Sequence, residues 1–265
     1  MTATVWLPPL FRALATALLV VSASAVAEVL GPFWGGLIIS LPISAGPTYV
    51  FLSMRHGPDF VAASALSSFA ANAATTLFLI VYGVLARRMS AWPCLVVAVL
   101  AWLAGSLATH LVMWTPATAF VLNLALYAAG FALLDTSQGT DARTAPRPRR
   151  RRFDLLARAV AVAAFVTFVV SVSSILGPDA TGIAAVFPIS LTSLFVIVRP
   201  RIGGRASSVL AANALRAMPG FAMTLLTLHL AIRPWGTATA LVLALLVSVS
   251  WSATLLLLRR WRQVA

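Results

Sequence analysis

The chain has 265 residues, of which 61% are apolar and only 9% charged, against roughly 25% charged in soluble domains. No water-soluble fold of that size can hide so much hydrocarbon, so the composition excludes a soluble globular protein. The net charge of +13 would suit nucleic acid, but all nineteen basic residues are Arg and almost all stand at the ends of apolar runs. Anionic lipid headgroups and the positive charge of cytoplasmic loops account for that placement, and no nucleic-acid partner is expected.

A bilayer core near 30 Å takes about 20 apolar residues in a helix. Nine such runs follow one another, at 10–29, 33–52, 60–86, 92–113, 117–134, 155–175, 181–198, 206–232 and 237–258. The expected fold is all-α, a polytopic transmembrane helical bundle. The first run could be read as a secretory signal, because Arg12 and an apolar core precede the small residues 22–27. Entry with the N-terminus inside would then flip every later span. Between the fifth and sixth runs, Arg143, Arg147 and Arg149 to Arg152 alternate with Pro146 and Pro148, and the stretch 136–154 reads as a flexible linker. Counting arginines on alternate sides of the nine runs gives fifteen on one side and three, Arg12, Arg55 and Arg233, on the other. The richer side is expected to be cytoplasmic, with the N-terminus outside, the C-terminus inside, and a bacterial inner (plasma) membrane as the location.

The second and seventh runs carry a repeat. Leu30-Gly31-Pro32 recurs as Leu176-Gly177-Pro178, Gly36 as Gly182, and Pro42-Ile43-Ser44 as Pro188-Ile189-Ser190, all at an offset of 146, with eight identities in the twenty-two positions 30–51. Agreement in Gly and Pro carries more weight than agreement in Leu, which apolar helices share through composition. The next helices align at an offset of 144 if a loop has shortened, pairing Ser64 with Ser208 and Asn72 with Arg216. The expected organisation is a four-helix unit at 1–114, a connecting helix at 115–135, the linker, and a second four-helix unit at 155–265. Four helices plus one is odd, so the second unit enters the membrane inverted, as in many secondary transporters. A duplication with no transport role is the alternative. Each unit, with its Gly-to-Pro second helix, Ala/Ser-rich third helix and plain apolar fourth, resembles the small four-helix membrane proteins of the GlpM-like group. The resemblance implies an architecture and no catalytic motif; the duplication and the extra helix depart from it.

Pro42 and Pro188 lie near the middle of their runs, where each removes a backbone donor and should interrupt the helix. Ser44 and Ser190 are placed to satisfy the freed groups. Arg216 lies about ten residues into its run, too deep to reach the headgroups, and an intramembrane arginine faces a partner or a polar cavity. Asn72, in the other unit, could offer an amide to the same cavity, and Glu28 is a candidate for proton coupling or a headgroup-level carboxylate. The single Cys94 excludes an intrachain disulfide, and His110 and His229 are too few for a metal site. No phosphate loop or hydrolase triad is present, so neither enzyme activity nor a cofactor is expected.

These residues point to a small secondary-transporter-like protein that moves a small polar or anionic solute by alternating access, with Arg216, Asn72, Pro42, Ser44, Pro188 and Ser190 at its site. A homo-oligomer is compatible with the sequence. The alternatives are a non-catalytic membrane scaffold, whose arginine linker binds lipid or another subunit, and a lipid-modifying enzyme. The topology has a direct test: in intact cells, Ala145→Cys should resist an impermeant thiol reagent and react only after permeabilisation. Labelling from outside would invert the orientation.

Overall fold

In an apolar solvent every backbone donor and acceptor must find its partner within the protein, and helices do this locally. The computed structural model describes residues Phe11, Leu14, Ala15, Leu18, 44–134 and 152–264, without the side chains of 152–155 and 259–264. These residues form α1 (Ala45–Ser53), α2 (Pro58–Leu85), α3 (Ala91–His110), α4 (Pro116–Leu133), α5 (Arg152–Ala185), α6 (Ile189–Leu215) and α7 (Met218–Val264), with no strand among them. Five helical runs are long and apolar enough to cross a membrane, the pattern of an integral membrane protein. The first expected span lies mostly outside the described residues, as do Glu28, Gly31, Pro32, Gly36, Pro42 and the linker residues 135–151.

Glycine divides α5, α6 and α7. Gly177, Gly203 and Gly236 have φ of 73°, 77° and 78° with extended ψ, a region that side chains essentially exclude. A new helical segment starts after each, and Pro178 sits where a first helical residue needs no N–H. The helices α2 and α3 start after Gly57 and Ser90, which have ordinary extended backbone. Gly203 follows Gly57, and Gly236 follows Ser90, by the 146 residues that separate the two Leu-Gly-Pro motifs. That spacing is 146, where the expected offset for these helices was 144. A spacing of 146 sets Asn72 against Met218, where one of 144 set it against Arg216.

The centre of the bundle is α2. Its span is 78% buried, against 28% for α3 and 22% for α4, and it packs on all five of the other long elements. Its buried face carries hydroxyls. Ser64 Oγ donates to the Pro178 carbonyl at 2.9 Å, Ser68 Oγ to Gly182 at 2.5 Å and Thr75 Oγ1 to Val186 at 3.0 Å. These bonds have a local cause. The expected interruption at Pro188 is present, with α5 ending at Ala185 and α6 starting at Ile189. Just before it, the Val186 N–H turns to Ile183 and the Phe187 N–H to Ala184, which withdraws the usual donor from Gly182. Hydroxyls of α2 replace what the proline break removes. Tyr49 of α1 joins the row, its hydroxyl bonded to the Ser64 carbonyl at 2.9 Å and to Ser68 Oγ at 2.5 Å.

Helix direction follows from contacts at the two ends. The segment 178–185 runs parallel to α2, whereas 204–235 runs against it: Ser208 Oγ donates to the Gly83 carbonyl at 2.7 Å, and His229 Nδ1 donates to the Ala62 carbonyl at 2.8 Å. At one end Arg233 pairs with Asp59 at 2.9 Å and Arg55 Nη1 donates to the Val170 carbonyl at 2.8 Å. At the other, Arg87 Nε donates to Ser208 Oγ at 3.1 Å and Arg199 to the turn after α2. Arg87, Arg88, Arg199, Arg201 and Arg205 therefore share one end, and Arg55 and Arg233 the other.

Small residues allow this closeness. A Cβ on Gly182 would stand 2.1 Å from the Ser64 carbonyl oxygen, which leaves no room for a methyl group. Gly182→Ala should force α2 and the 178–185 segment apart and destabilise the protein by about 1–3 kcal/mol, read as a fall in midpoint temperature in detergent. Gly46→Ala, where a Cβ meets nothing within 4 Å, should have little effect and serves as the control.

Candidate functional site

The segments 58–85 and 204–235 cross near Asn72 and Met218, halfway along α2, and polar side chains gather there. Asn72 is fully buried. Its Nδ2 donates to Asn123 Oδ1 at 2.9 Å and to the Tyr127 hydroxyl at 2.6 Å. Asn123 in turn donates to the Phe69 and Ala119 carbonyls at 2.8 and 2.9 Å. Those two carbonyls fix which end of the Asn123 amide is nitrogen, and Asn123 Oδ1 then fixes the Asn72 amide. Asn72 Oδ1 is left buried with no hydrogen-bond partner, although a buried acceptor without a donor is disfavoured by about 1–3 kcal/mol. Tyr127 completes the link across the crossing: its hydroxyl lies 3.0 Å from the Met218 carbonyl and 3.2 Å from Asn123 Oδ1.

One turn along α2, Thr75 extends the polar track to the Pro188 break. It donates to Val186 and accepts from Trp102 Nε1 at 3.2 Å. Asn72 and the Pro188 interruption are thus joined along a single helix face. Ser190 plays a different part from the one expected. The freed carbonyls lie before the break and Ser190 after it, in the first turn of α6, so Thr75 and Ser68 do the capping. Ser190 Oγ is left buried with no hydrogen-bond partner, as is Thr192 Oγ1. Ser44 is the N-cap of α1 but makes no side-chain cap; its carbonyl accepts from Thr48 Oγ1 at 2.8 Å.

Arg216 closes α6 at a kink that Pro219 explains, because a proline in the following turn cannot supply the next helical donor. The residue is half-buried. Its Nη1 donates to Asn213 Oδ1 at 3.2 Å, and its carbonyl accepts from Trp251 Nε1 at 3.2 Å. The connection that the structure shows between Arg216 and Asn72 runs through Met218 and Tyr127. Asn123, Tyr127, Thr75 and Trp102 were not singled out from the sequence. Asn123 and Tyr127, four residues apart in an otherwise plain apolar run, were the available signal, since that spacing puts both on one helix face.

Among groups outside the spans, His56 is displaced from its ordinary titration. It stacks on Phe60 with ring centres 3.8 Å apart, and its Nε2 lies 2.7 Å from Ser173 Oγ. The Ser173 hydroxyl donates to the Val170 carbonyl, so Nε2 is the donor in that pair. Burial, and then the charge of Arg55, lower the His56 pKa. Folding thus disfavours the charged ring: the stability His56 contributes is complete above the unfolded value near 6.5 and is lost as pH falls toward the lower folded value. Midpoint temperature should drop over that acid range, and His56→Gln should flatten the drop. An unchanged profile would show that His56 does not contribute.

No family model matches the chain, and no curated protein and no solved structure matches it either.

Proposed function

We propose that the chain is a secondary-transporter-like membrane protein built from two inverted repeats, moving a small polar or anionic solute through a site at their crossing. The observation that carries this reading is an exchange of contacts. Ala62 and Ser208 stand 146 residues apart, as do Gly83 and His229, and the bonds join Ala62 to His229 and Gly83 to Ser208. A two-fold axis in the membrane plane interchanges those contacts, whereas a parallel repeat would not. Packing within each unit supports the same correspondence. A Cβ on Gly105 would meet Ala74 Cβ at 3.1 Å, and a Cβ on Gly220 would meet the Trp251 side chain at 2.1 Å. Trp251 follows Gly105, and Gly220 follows Ala74, by 146 residues, so the same two positions touch with large and small exchanged.

On this reading the glycine breaks divide α5, α6 and α7 into the sixth to ninth of nine spans. The arginine-rich end is cytoplasmic, the membrane is a bacterial inner membrane, and the units are duplicated relatives of the GlpM-like architecture. The solute meets Asn72 and Tyr127 near the axis, with Arg216 one helical turn away to attract negative charge. Inverted-repeat transporters place their sites at such mid-depth interfaces, beside interrupted helices.

Arg216 gives the test. In proteoliposomes, Arg216→Ala should abolish uptake of the solutes that the wild type admits from a panel of small carboxylates, phosphate and neutral polyols, while the purified variant keeps its midpoint temperature. Arg216→Lys should restore little, because a point ammonium lacks the planar fork that grips a carboxylate or phosphate. Loss of thermal stability with residual uptake would make Arg216 a structural clamp. No uptake of any panel member by the wild type would favour the scaffold reading.

A further inference from the structure

The arginine-rich end contains a buried guanidinium with only half of its terminal donors in use. Arg199 is 5% exposed. Its Nη2 donates to the carbonyls of Ala86, at 3.1 Å, and Met89, at 2.5 Å, which close the carboxyl end of α2. Its Cζ stands 5.5 Å from the centre of the Tyr82 ring. Arg199 Nη1 has no hydrogen-bond partner, and neither has the hydroxyl of the fully buried Tyr82. The Cys94 thiol donates to the Tyr82 carbonyl, and Ser207 Oγ donates to Gly203. No carboxylate pairs with Arg199 among the described residues.

We propose that Arg199 Nη1 and the Tyr82 hydroxyl form a binding site for a phosphate group. Both groups can donate and lack an acceptor, and the missing acceptor must be negative if it is also to balance a buried cation. Helix-end carbonyls supply partial charge to Nη2 alone. A phosphate offers several oxygens, so one can accept from Nη1, a second from Tyr82, and a third can face the rim. That rim is cationic: Arg87, Arg88, Arg201 and Arg205 are exposed around the same end and would draw an anion toward the 86–90 turn that covers the pair. Gly204 holds the floor close, since a Cβ there would lie 2.0 Å from the Ala86 carbonyl oxygen and 3.7 Å from Arg199 Nη2. The phosphate could be inorganic or belong to the headgroup of an anionic lipid. The site lies at the bundle end, apart from the Asn72 crossing, and does not depend on transport.

Tyr82→Phe is the informative variant, because an unpartnered hydroxyl can be removed without breaking a bond. Thermal unfolding of the purified protein is measured in detergent against inorganic phosphate, with chloride at equal ionic strength as reference. A second series uses nanodiscs of phosphatidylglycerol or phosphatidylcholine. The wild type should be stabilised by phosphate, by phosphatidylglycerol, or by both; a response to both identifies the shared phosphate chemistry, and a response to the lipid alone identifies the headgroup as its source. Tyr82→Phe should keep the ligand-free midpoint and bind about tenfold more weakly, as expected for one lost hydrogen bond to a charged group. Arg199→Gln should lose the response altogether. The proposal is overturned if neither ligand stabilises the wild type, if Tyr82→Phe responds like the wild type, or if Tyr82→Phe is destabilised without ligand, since the hydroxyl would then already have a partner.

Discussion

A carbonyl freed inside a membrane has no water to turn to, and this constraint organises the bundle. Two interruptions and one helix end meet side-chain donors from other parts of the chain. Ser68 and Thr75 serve the turn before Pro188, Trp251 and Tyr127 serve the kink at Arg216 and Met218, and Arg199 serves the end of α2. Most of these donors belong to helices that would otherwise be plain hydrocarbon. The broken helices can therefore stay broken because intact neighbours carry hydroxyls, amides and indoles at matching heights.

That division of labour explains the unusual composition of α2. A helix that packs on five others cannot carry large side chains on every face, and its sequence between Phe60 and Phe78 is mostly Ala, Ser, Thr and Asn. Small residues bring backbones close, and dispersion contacts rather than water exclusion hold helices together in lipid. Hydroxyls on the same small residues then reach carbonyls that longer side chains would keep away. Gly182 against Ser64 and Gly204 against Ala86 show the limit, with space for hydrogen and no more. The large apolar residues move outward, as Val96, Leu100, Leu103 and Leu107 do on α3, where lipid tails would cover them.

The helical fold was legible because run length and arginine placement follow from bilayer thickness and headgroup charge alone. The proline interruption at 188 was legible for a local reason, the missing N–H. Which groups repair it was not, because Ser190 is adjacent in sequence while Ser68 and Thr75 are adjacent only in space. The offset of 144 rested on Ala, Ser and Leu matches, which are frequent by composition, whereas the spacing of 146 that separates Gly57 from Gly203 and Ser90 from Gly236 stands out only once backbone angles mark those residues as breaks. Tyr127 and Asn123 escaped notice because two polar residues in an exposed apolar helix carry little signal until the helix is seen to turn that face toward Asn72.

The two helices that cross at Asn72 and Met218 are unequal in a way that bears on movement. One is α2, continuous for 28 residues; the other is interrupted between Leu215 and Met218, just before Pro219. A continuous helix with most of its surface buried is the fixed member. An interrupted one concentrates its bending at the break, where few hydrogen bonds resist a change of backbone angle. Arg216 lies at that break, and Tyr127 ties the carbonyl of Met218 to the amide of Asn72. Any rotation of 218–235 relative to 204–215 must stretch or exchange that bond. Tyr127 has Asn123 Oδ1 as a second acceptor at nearly the same distance, so its single O–H can turn toward either one. The crossing therefore brings together an interrupted helix, a cation at the interruption and a hydroxyl with two acceptors.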